Sequence, residues 1–366
     1  MTDGATAGLT VRSAYLDVLE TQRAELVAAL EPVLSTADID AAQRASARLS
    51  VRLDASPLSD ATADAVDAGT HVEPAGGVRA RNGAGWASAL RLEGMPTQDI
   101  AAVEYRGVLA AQAAEPRLAA EFLTTPVTTL EQVHRHIVSG LLADEYVGGL
   151  RRTSRAVNDG AQGRAIFHAP PPAQLPALIA ELGEWVAGAH TSVPPLAFAG
   201  VVHARILHWR PFEAGNGRVA RCVSRIALRA TAGDPWGVAV PEQRYVADPL
   251  RYMTEIAATI RRRTDLRPWN ELTGEAIVEG LERVARARGR RPVDVDARTL
   301  RAVATFEPGV AIVLPDVAEA AGLDRLMALM QCNRLCWAGV LRRQAGSRGL
   351  RYHRPNRADV SDRAGA

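Results

Sequence analysis

One short run of the chain carries residue types that could bind an anion. It reads Arg-Pro-Phe-Glu-Ala-Gly-Asn-Gly-Arg-Val-Ala-Arg, from Arg210 to Arg221. The Gly-Asn-Gly turn lets successive backbone N–H groups face one concavity, and a helix that begins there adds unpaired N–H groups and the positive end of its dipole. Arg218 and Arg221 are three residues apart, so both side chains can face the same anion. The run predicts a phosphate-binding site.

This run resembles the signature of the Fic (Fido) family, which is His-Pro-Phe-x-Asp/Glu-Gly-Asn-Gly-Arg-x-x-Arg. Members of that family mostly move AMP from ATP onto a protein hydroxyl, with the histidine taking the hydroxyl proton and the acidic residue holding Mg²⁺. The resemblance implies a nucleotide such as ATP as ligand and a protein as target. The phosphate-binding residues that it implies are Gly215, Asn216, Gly217, Arg218 and Arg221.

The two residues that perform chemistry in the family are replaced in this chain. Arg210 stands at the position of the histidine, and a guanidinium stays protonated, so it cannot accept a proton. Ala214 stands at the position of the acidic residue and cannot ligate Mg²⁺, while Glu213 would be displaced by about 100° on a helix. His208 and His203 lie earlier on the expected helix and do not replace the base by simple geometry. The sequence predicts binding and leaves both transfer and the use of Mg²⁺ open.

A second family feature is an inhibitory helix that ends in Ser/Thr-x-x-x-Glu-Gly/Asn, whose glutamate pairs with the last arginine of the motif. The run Ser88-Ala-Leu-Arg-Leu-Glu93-Gly94 is similar, with the serine one residue too early. A Glu93 carboxylate opposite Arg221 would compete with phosphate. The alternative is a surface glutamate before a glycine that ends a helix.

The turn and its arginines also have a simpler interpretation. Gly-Asn-Gly alone is a common turn signal, and Arg218 and Arg221 could be surface ion-pair residues. The combination with Pro211 and Phe212 favours phosphate binding.

Composition favours a helical protein of the reducing cytoplasm. The chain has 366 residues, 47% of them hydrophobic and 5% aromatic, and a formal net charge of +2. This balance creates no global field for nucleic acid or an anionic membrane. The three cysteines are too few for a disulfide framework. We expect no signal peptide and no membrane-spanning segment.

The resemblance implies a mainly α fold with which the order of elements agrees: a Fic/Fido helical core with a small β-hairpin flap, and a C-terminal winged-helix-like module. The expected domains are a helical N-terminal region and linker at 1–85, a Fic-like core at 86–245 and the C-terminal module at 246–366. Within the core, Arg164 to Ala169 reads as one arm of the flap hairpin. We expect a helix over Thr129–Leu142, capped by Thr128 or Thr129, and an amphipathic helix before the motif.

The C-terminal module is predicted from two helices, Val313–Ala321 and Asp324–Ala338, followed by two short β-prone arms around a loop. One interpretation is DNA binding. The other is a packing or dimerisation domain, which would make a homodimer an open question. The second helix is too apolar for a DNA groove, which favours packing; its apolar residues are Leu326, Met327, Leu329 and Met330.

Three functions are open from these features, one of them a DNA-binding regulator in which the Fic core is only a scaffold. The leading hypothesis is a Fic-fold protein that binds a nucleotide or another phosphate-bearing ligand, with AMP or phosphoryl transfer to a protein hydroxyl through an altered site. The alternative is a catalytically inactive Fic-like protein in which ligand binding acts as a switch for the C-terminal module.

Overall fold

The computed structural model describes most of the chain. The described ranges are 8–72, 94–158, 165–344 and 350–356. Within them the protein is mainly helical, with two small β-sheets, as the composition predicts.

Three helices precede the first gap in the described residues. They are α1 (Ala14–Leu30), α2 (Thr36–Leu53) and α3 (Asp60–Asp67). A serine caps the N-terminus of each, and at α2 the cap is a reciprocal capping box between Ser35 and Asp38. The end of α2 matters for the site, because Ala55 just beyond it has a positive φ of 59° that turns the chain sharply.

The central bundle is built around the helices on either side of the Gly-Asn-Gly turn, Pro195–Trp209 and Asn216–Ala230, which pack tightly on each other. The helices from the second described range to the motif are α4 (Thr97–Ala113), α5 (Glu115–Phe122), α6 (Pro126–Val138), α7 (Leu175–Ala189), α8 (Pro195–Trp209) and α9 (Asn216–Ala230). Helix α8 is buried from Leu196 to Trp209, so the expectation of an amphipathic helix was wrong. A helix with neighbours on every side buries all its faces.

The start of α6 differs from the sequence prediction. The helix begins at Pro126 and ends at Val138, so Thr128 and Thr129 lie inside it rather than at its cap. Proline suits the first helical position because its missing N–H would be unpaired there in any case. The signal at Pro126 therefore outweighs that of the threonines.

The predicted hairpin is present. Its strands β1 (Ala156–Asn158) and β2 (Ala165–His168) pair antiparallel, with Val157 opposite Phe167. The expected arm at Arg164–Ala169 is thus confirmed as β2. Its partner β1 lies in a stretch that the sequence did not resolve into strands.

The chain continues through three helices into a compact C-terminal unit. The helices are α10 (Glu242–Ala247), α11 (Pro249–Arg262) and α12 (Arg267–Ala287). The unit itself contains α13 (Ala297–Ala304), β3 (Ile312–Val313), α14 (Leu314–Ala321), α15 (Arg325–Trp337), β4 (Arg342–Arg343) and β5 (Arg351–His353). The strands form one antiparallel sheet in the order β3-β5-β4. The two predicted helices are present, and the second β-prone arm, predicted at 350–352, is strand β5. The first arm was predicted at 340–341, whereas the strand β4 lies two residues later.

Buried contacts attach the C-terminal unit to the N-terminal helices. Helix α15 packs on α1 and α12, and Arg343 donates to Glu282 and Gln22, all three side chains being buried. The three cysteines are free and buried. Among the described helices none combines the length and apolarity needed to cross a bilayer.

Candidate anion-binding site

The site begins where α8 ends. Arg210 follows the helix in the left-handed region, with φ of 44° and ψ of 62°, a conformation that costs energy for a side-chain-bearing residue. Buried Arg151 fixes this turn: its Nε donates to the Arg210 carbonyl at 2.6 Å and its Nη2 to the Trp209 carbonyl at 3.1 Å. The same guanidinium donates to the carbonyls of Thr153 and Pro170, which lie on either side of the β1–β2 hairpin. It therefore also fixes both ends of the stretch from 152 to 170, which we call the flap segment.

The turn is closed from within by Asn216. Its Oδ1 accepts from the Phe212 N–H at 2.9 Å, and its Nδ2 donates to the Phe212 carbonyl at 2.8 Å. The Phe212 ring is fully buried and stacks on His134, with centroids 3.9 Å apart. The Asn216 side chain is therefore committed to shaping the loop, and only its backbone can face a ligand.

The two glycines are required for different reasons. Gly215 has φ of 73°, in the left-handed region, and is the residue before α9, so that helix starts without a side-chain cap. At Gly217 an added Cβ would lie 2.6 Å from Oδ1 of Asp54 and 3.2 Å from Nη1 of Arg221. Gly217 thus allows another segment of the chain to approach the start of α9 closely.

These elements enclose a cavity of about 280 Å³. It is lined by Asp54, Arg155, Arg210, Glu213, Ala214, Gly215, Asn216 and Gly217. Positive charge comes from two guanidinium groups and from the N-terminus of α9. In the described part of the chain Arg210 forms no ion pair, and its Nε is buried without a hydrogen-bond partner.

The two motif arginines are turned toward carboxylates. Arg218 donates to Glu104 at 2.9 Å, and its Nε lies 3.3 Å from Oδ2 of Asp54. Arg221 donates to Oδ1 of Asp54 at 2.9 Å and to the hydroxyl and carbonyl of Ser50. Both arginines are almost fully buried, so they are not the surface ion-pair residues of the simpler interpretation.

Electrostatic interactions between Asp54 and Arg221 favour the charged form of each side chain. Burial alone would raise the pKa of Asp54, but the adjacent Arg221 and Arg218 outweigh it and lower the pKa below its usual value. Burial would likewise lower the pKa of Arg221, and the Asp54 carboxylate reverses this and raises it. Burial lowers the pKa of Arg210, with Asp54 opposing the shift. The Asp54 carboxylate thus interacts electrostatically with the guanidinium groups of Arg221, Arg218 and Arg210.

The Glu213 carboxylate holds the flap segment rather than facing a ligand. Oε1 accepts from the N–H groups of Arg152 and Thr153, and Oε2 accepts from the Thr153 hydroxyl and from Arg155. Burial would raise the pKa of Glu213, but these donors lower it.

The residues at the cavity do not fit Mg²⁺. Ala214 offers no oxygen ligand from its side chain, and both Glu213 oxygens are occupied by protein donors. Both Asp54 oxygens face guanidinium groups. Mg²⁺ needs near-octahedral oxygen coordination, and no group of three or more acidic, histidine or cysteine side chains in the described ranges could hold a metal ion.

Neither histidine of α8 lines the cavity. The ring of His203 packs edge-on against Trp269 and its Nε2 lies 3.0 Å from the Tyr252 hydroxyl. His208 contacts the Thr259 hydroxyl on α11. Burial lowers the pKa of both rings to about 3. Both are buried residues of the helical core, so neither replaces the base, as the sequence predicts.

A family model described as Fic/DOC matches residues 123–228, which include the turn and both motif arginines. This segment is a Fic/DOC family domain. The helical architecture agrees, since solved Fic structures share the fold.

Curated relatives match over the same part of the chain. The protein adenylyltransferases Fic of Drosophila virilis and Drosophila melanogaster are each 28% identical over 115 residues. That stretch is 31% of this chain, and the chain spans only about a fifth of the relatives' length, 21%.

Solved structures resemble more of the molecule. A Fic family protein from Desulfovibrio desulfuricans G20 superposes with a TM-score of 0.60 at 19% identity, covering 95% of this chain and 98% of the other. Fic-1 from C. elegans gives 0.53 at 15% identity, covering 75% and 72%. A Fic domain containing signaling protein from Bacteroides thetaiotaomicron gives 0.52 at 14% identity, covering 77% and 100%. At these identities the likeness concerns the fold.

Only part of the Fic/DOC motif residues named from the sequence line the cavity. Arg210 and the backbone of the Gly-Asn-Gly turn line one cavity, whereas Arg218 and Arg221 lie beside it under Asp54. Glu93 lies outside the described residues, and its pairing with Arg221 stays a prediction.

Sequence reasoning missed Asp54 and Arg155. Asp54 had a signal: Ser50-Val-Arg-Leu-Asp54-Ala55 has the spacing of the family's inhibitory pattern, with aspartate for glutamate and alanine for glycine. Ala55 even adopts the positive φ that a glycine would supply. Arg155 had none, since it stands before a short strand with no motif around it.

Proposed function

We propose that this protein binds a phosphate-bearing ligand, a nucleotide by the resemblance of its motif, in the cavity at the start of α9. The observation that carries the proposal is the meeting of Arg210, Arg155 and an uncapped helix N-terminus on one concave surface. Positive charge and backbone N–H groups in a concavity match the chemistry of a phosphate.

Asp54 regulates this site in the proposal. Its carboxylate occupies Arg221 and Arg218, so a ligand with further phosphates must displace it to reach them. The opposing charges set up a competition between carboxylate and phosphate for the same guanidinium groups. The site is thus closed toward long polyphosphates until the end of α2 moves.

Transfer of AMP to a protein hydroxyl is the reaction that the names of the Drosophila relatives suggest. In this chain Arg210 cannot act as the base, and losing a general base typically slows a reaction by about 10²–10⁴-fold. Positioning and charge stabilisation still contribute to phosphoryl chemistry. We propose that the unmodified chain binds nucleotide and transfers AMP far more slowly than an enzyme with the full motif.

A second candidate is a ligand-responsive switch acting through the C-terminal unit, which we interpret as winged-helix-like. It is favoured by the buried Arg343–Glu282 contact, which joins that unit to α12. Helix α15 buries Leu329, Cys332 and Leu335, which supports packing rather than DNA reading for that helix. Persistent absence of label from ATP, alongside measurable ATP binding, would support the switch. Gel retardation of duplex DNA that disappears on deleting residues after Pro308 would instead support a DNA-binding regulator; we expect no retardation.

Calorimetric titration with AMP, ADP, ATP and inorganic phosphate tests the binding proposal. We expect one saturable site, weakened about 10- to 100-fold by Arg210→Asn, because hydrogen bonds to charged groups contribute about 1.5–3 kcal/mol. Asparagine tolerates the left-handed backbone, so the variant removes charge without adding strain. Arg298→Gln, at a side chain that is 64% exposed on α13, is the matched control. Absence of binding, or equal binding by Arg210→Asn, would overturn the proposal.

A further inference from the structure

The carboxylates at the cavity are all engaged with protein donors. Glu213 accepts from Arg152, Thr153 and Arg155, and Asp54 faces Arg218 and Arg221. No carboxylate is therefore left to bring a divalent cation to a bound phosphate.

Arg210 places a positive charge at a cavity that has neither the general base nor the acidic metal ligand of the family motif. Its guanidinium lines the cavity, forms no ion pair with the described residues and has a buried Nε without a partner. Arginine can bind a phosphate through two N–H groups at once, in a planar geometry that suits the anion.

The positive groups that remain accessible match one phosphate rather than three. Arg218 is held by buried Glu104 and by Asp54, and Arg221 by Asp54 and Ser50. The cavity volume of about 280 Å³ lies just below the range of about 300–1,000 Å³ found for drug-sized ligands. The second and third phosphates of a triphosphate would meet guanidinium groups that are already neutralised.

We infer that the cavity binds a single phosphate group, free or as a phosphomonoester, without a divalent metal, and that the Arg210 guanidinium takes the place of the cation. The inference rests on the proposed phosphate-binding function and adds its ligand class and its independence of Mg²⁺. It predicts that the resting protein prefers a nucleoside monophosphate to the triphosphate.

Titration of AMP, inorganic phosphate and ATP into the full chain, in EDTA and then in MgCl₂, tests this inference. We expect AMP to bind equally well in both buffers, within about twofold, and ATP to bind about 10-fold more weakly, the difference of one lost charged hydrogen bond. If AMP binds more tightly than inorganic phosphate, the cavity recognises a phosphomonoester; equal affinities would show that it recognises the phosphate group alone. A requirement for Mg²⁺, or tighter binding of ATP than of AMP, would overturn the inference and leave the proposed function standing. Failure of every probe to bind would overturn both.

Ala214→Asp provides a second test at the same cavity. The new carboxylate repels phosphate in EDTA and offers a metal ligand in MgCl₂, so AMP affinity should fall about 10-fold and recover with Mg²⁺. Ala320→Asp, at an exposed position of α14 in the C-terminal unit, is the matched control and should bind AMP as the unmodified chain does. If Ala214→Asp bound AMP in EDTA as tightly as the unmodified chain does, the bound phosphate would not lie beside residue 214, and this would contradict the inference.

Discussion

The Asp54 carboxylate lies 2.9 Å from Nη2 of Arg221, and its other oxygen lies 3.3 Å from Nε of Arg218. One residue at the end of α2 thus neutralises the two arginines on which the resemblance to Fic proteins rests most strongly. The motif and its carboxylate partner belong to segments far apart in sequence. The positive charges of the motif arginines are therefore present, but the Asp54 carboxylate partly neutralises them.

Removing this carboxylate should admit a triphosphate. We expect Asp54→Ala to tighten ATP binding about 10-fold while changing AMP binding little, because Arg221 and Arg218 become available to phosphate oxygens. Calorimetric titration measures both affinities.

Asp60→Ala is the control for that variant. Asp60 begins α3, its side chain is 77% exposed, and it pairs with Arg52 away from the motif arginines. ATP affinity that stays constant in a folded Asp54→Ala protein would show that Asp54 does not regulate the site.

The same contact predicts how stability depends on pH. The neighbouring arginines lower the pKa of Asp54 in the folded state, so its contribution is complete above the unfolded-state pKa of about 3.9 and is lost as the pH falls through the folded value. We expect Asp54→Asn to reduce the unfolding free energy by about 1–2 kcal/mol at neutral pH. Urea denaturation should show the gap between variant and parent narrowing below about pH 4. A gap that widens on acidification would contradict the assignment.

A third prediction concerns the anchor of the flap segment. Glu213→Ala removes the acceptor for Arg155 and for the Thr153 hydroxyl. The Arg155 side chain is 21% exposed, so the loss should be about 1.5–3 kcal/mol, the usual contribution of a hydrogen bond to a charged group. Thermal unfolding should report the loss, and limited proteolysis should cleave near the start of β1. Glu121→Ala breaks an exposed pair with Arg117 and should cost about 1 kcal/mol or less. Similar losses for both variants would refute the anchoring role.

The sequence was informative where a local pattern carries the structure. The glycines of the turn, the proline cluster after β2 and the helices of the C-terminal unit all have short-range signals, and the elements are present. The start of α6 was misplaced because Pro126 outweighs the threonines that follow it.

The rest of the site depends on contacts that sequence reasoning missed: the pattern that ends at Asp54 was overlooked, and the other contacts leave no local pattern. Asp54 meets Arg221 across 167 residues, and Arg151 binds backbone carbonyls, which every residue carries. Burial decides which carboxylates are engaged and which arginine remains unpaired, and burial follows from the packed fold. The motif therefore predicts the type of ligand, which stays a prediction, whereas the pairing of Asp54 with Arg218 and Arg221 was not predicted.

The junction of the C-terminal unit gives a fourth prediction. Glu282→Ala leaves the buried guanidinium of Arg343 without its carboxylate and should destabilise the protein by about 3–5 kcal/mol in chemical denaturation. Replacing both residues, with Glu282→Leu and Arg343→Met, should recover most of that loss, because no buried charge is left unpaired. Glu319→Ala, exposed on α14, should have little effect. A double variant as unstable as Glu282→Ala would show that packing rather than charge holds the junction.

The last prediction concerns the reaction itself. Arg210→His combined with Ala214→Asp restores a proton acceptor and an oxygen ligand at the two replaced positions, and histidine is among the residues that best tolerate the left-handed backbone found there. We expect transfer of AMP from labelled ATP in Mg²⁺ to rise about 10²–10⁴-fold over the unmodified chain, the usual contribution of a general base. Because Asp54 still covers Arg221, adding Asp54→Ala should raise the rate further by admitting the triphosphate. Arg210→His alone restores the base and should give part of this rise, whereas Ala214→Asp alone still lacks the base and should stay near the parent rate. If the triple variant binds ATP with Mg²⁺ and still incorporates no label into itself or an added protein, the proposal that this fold retains the remaining apparatus for transfer is wrong.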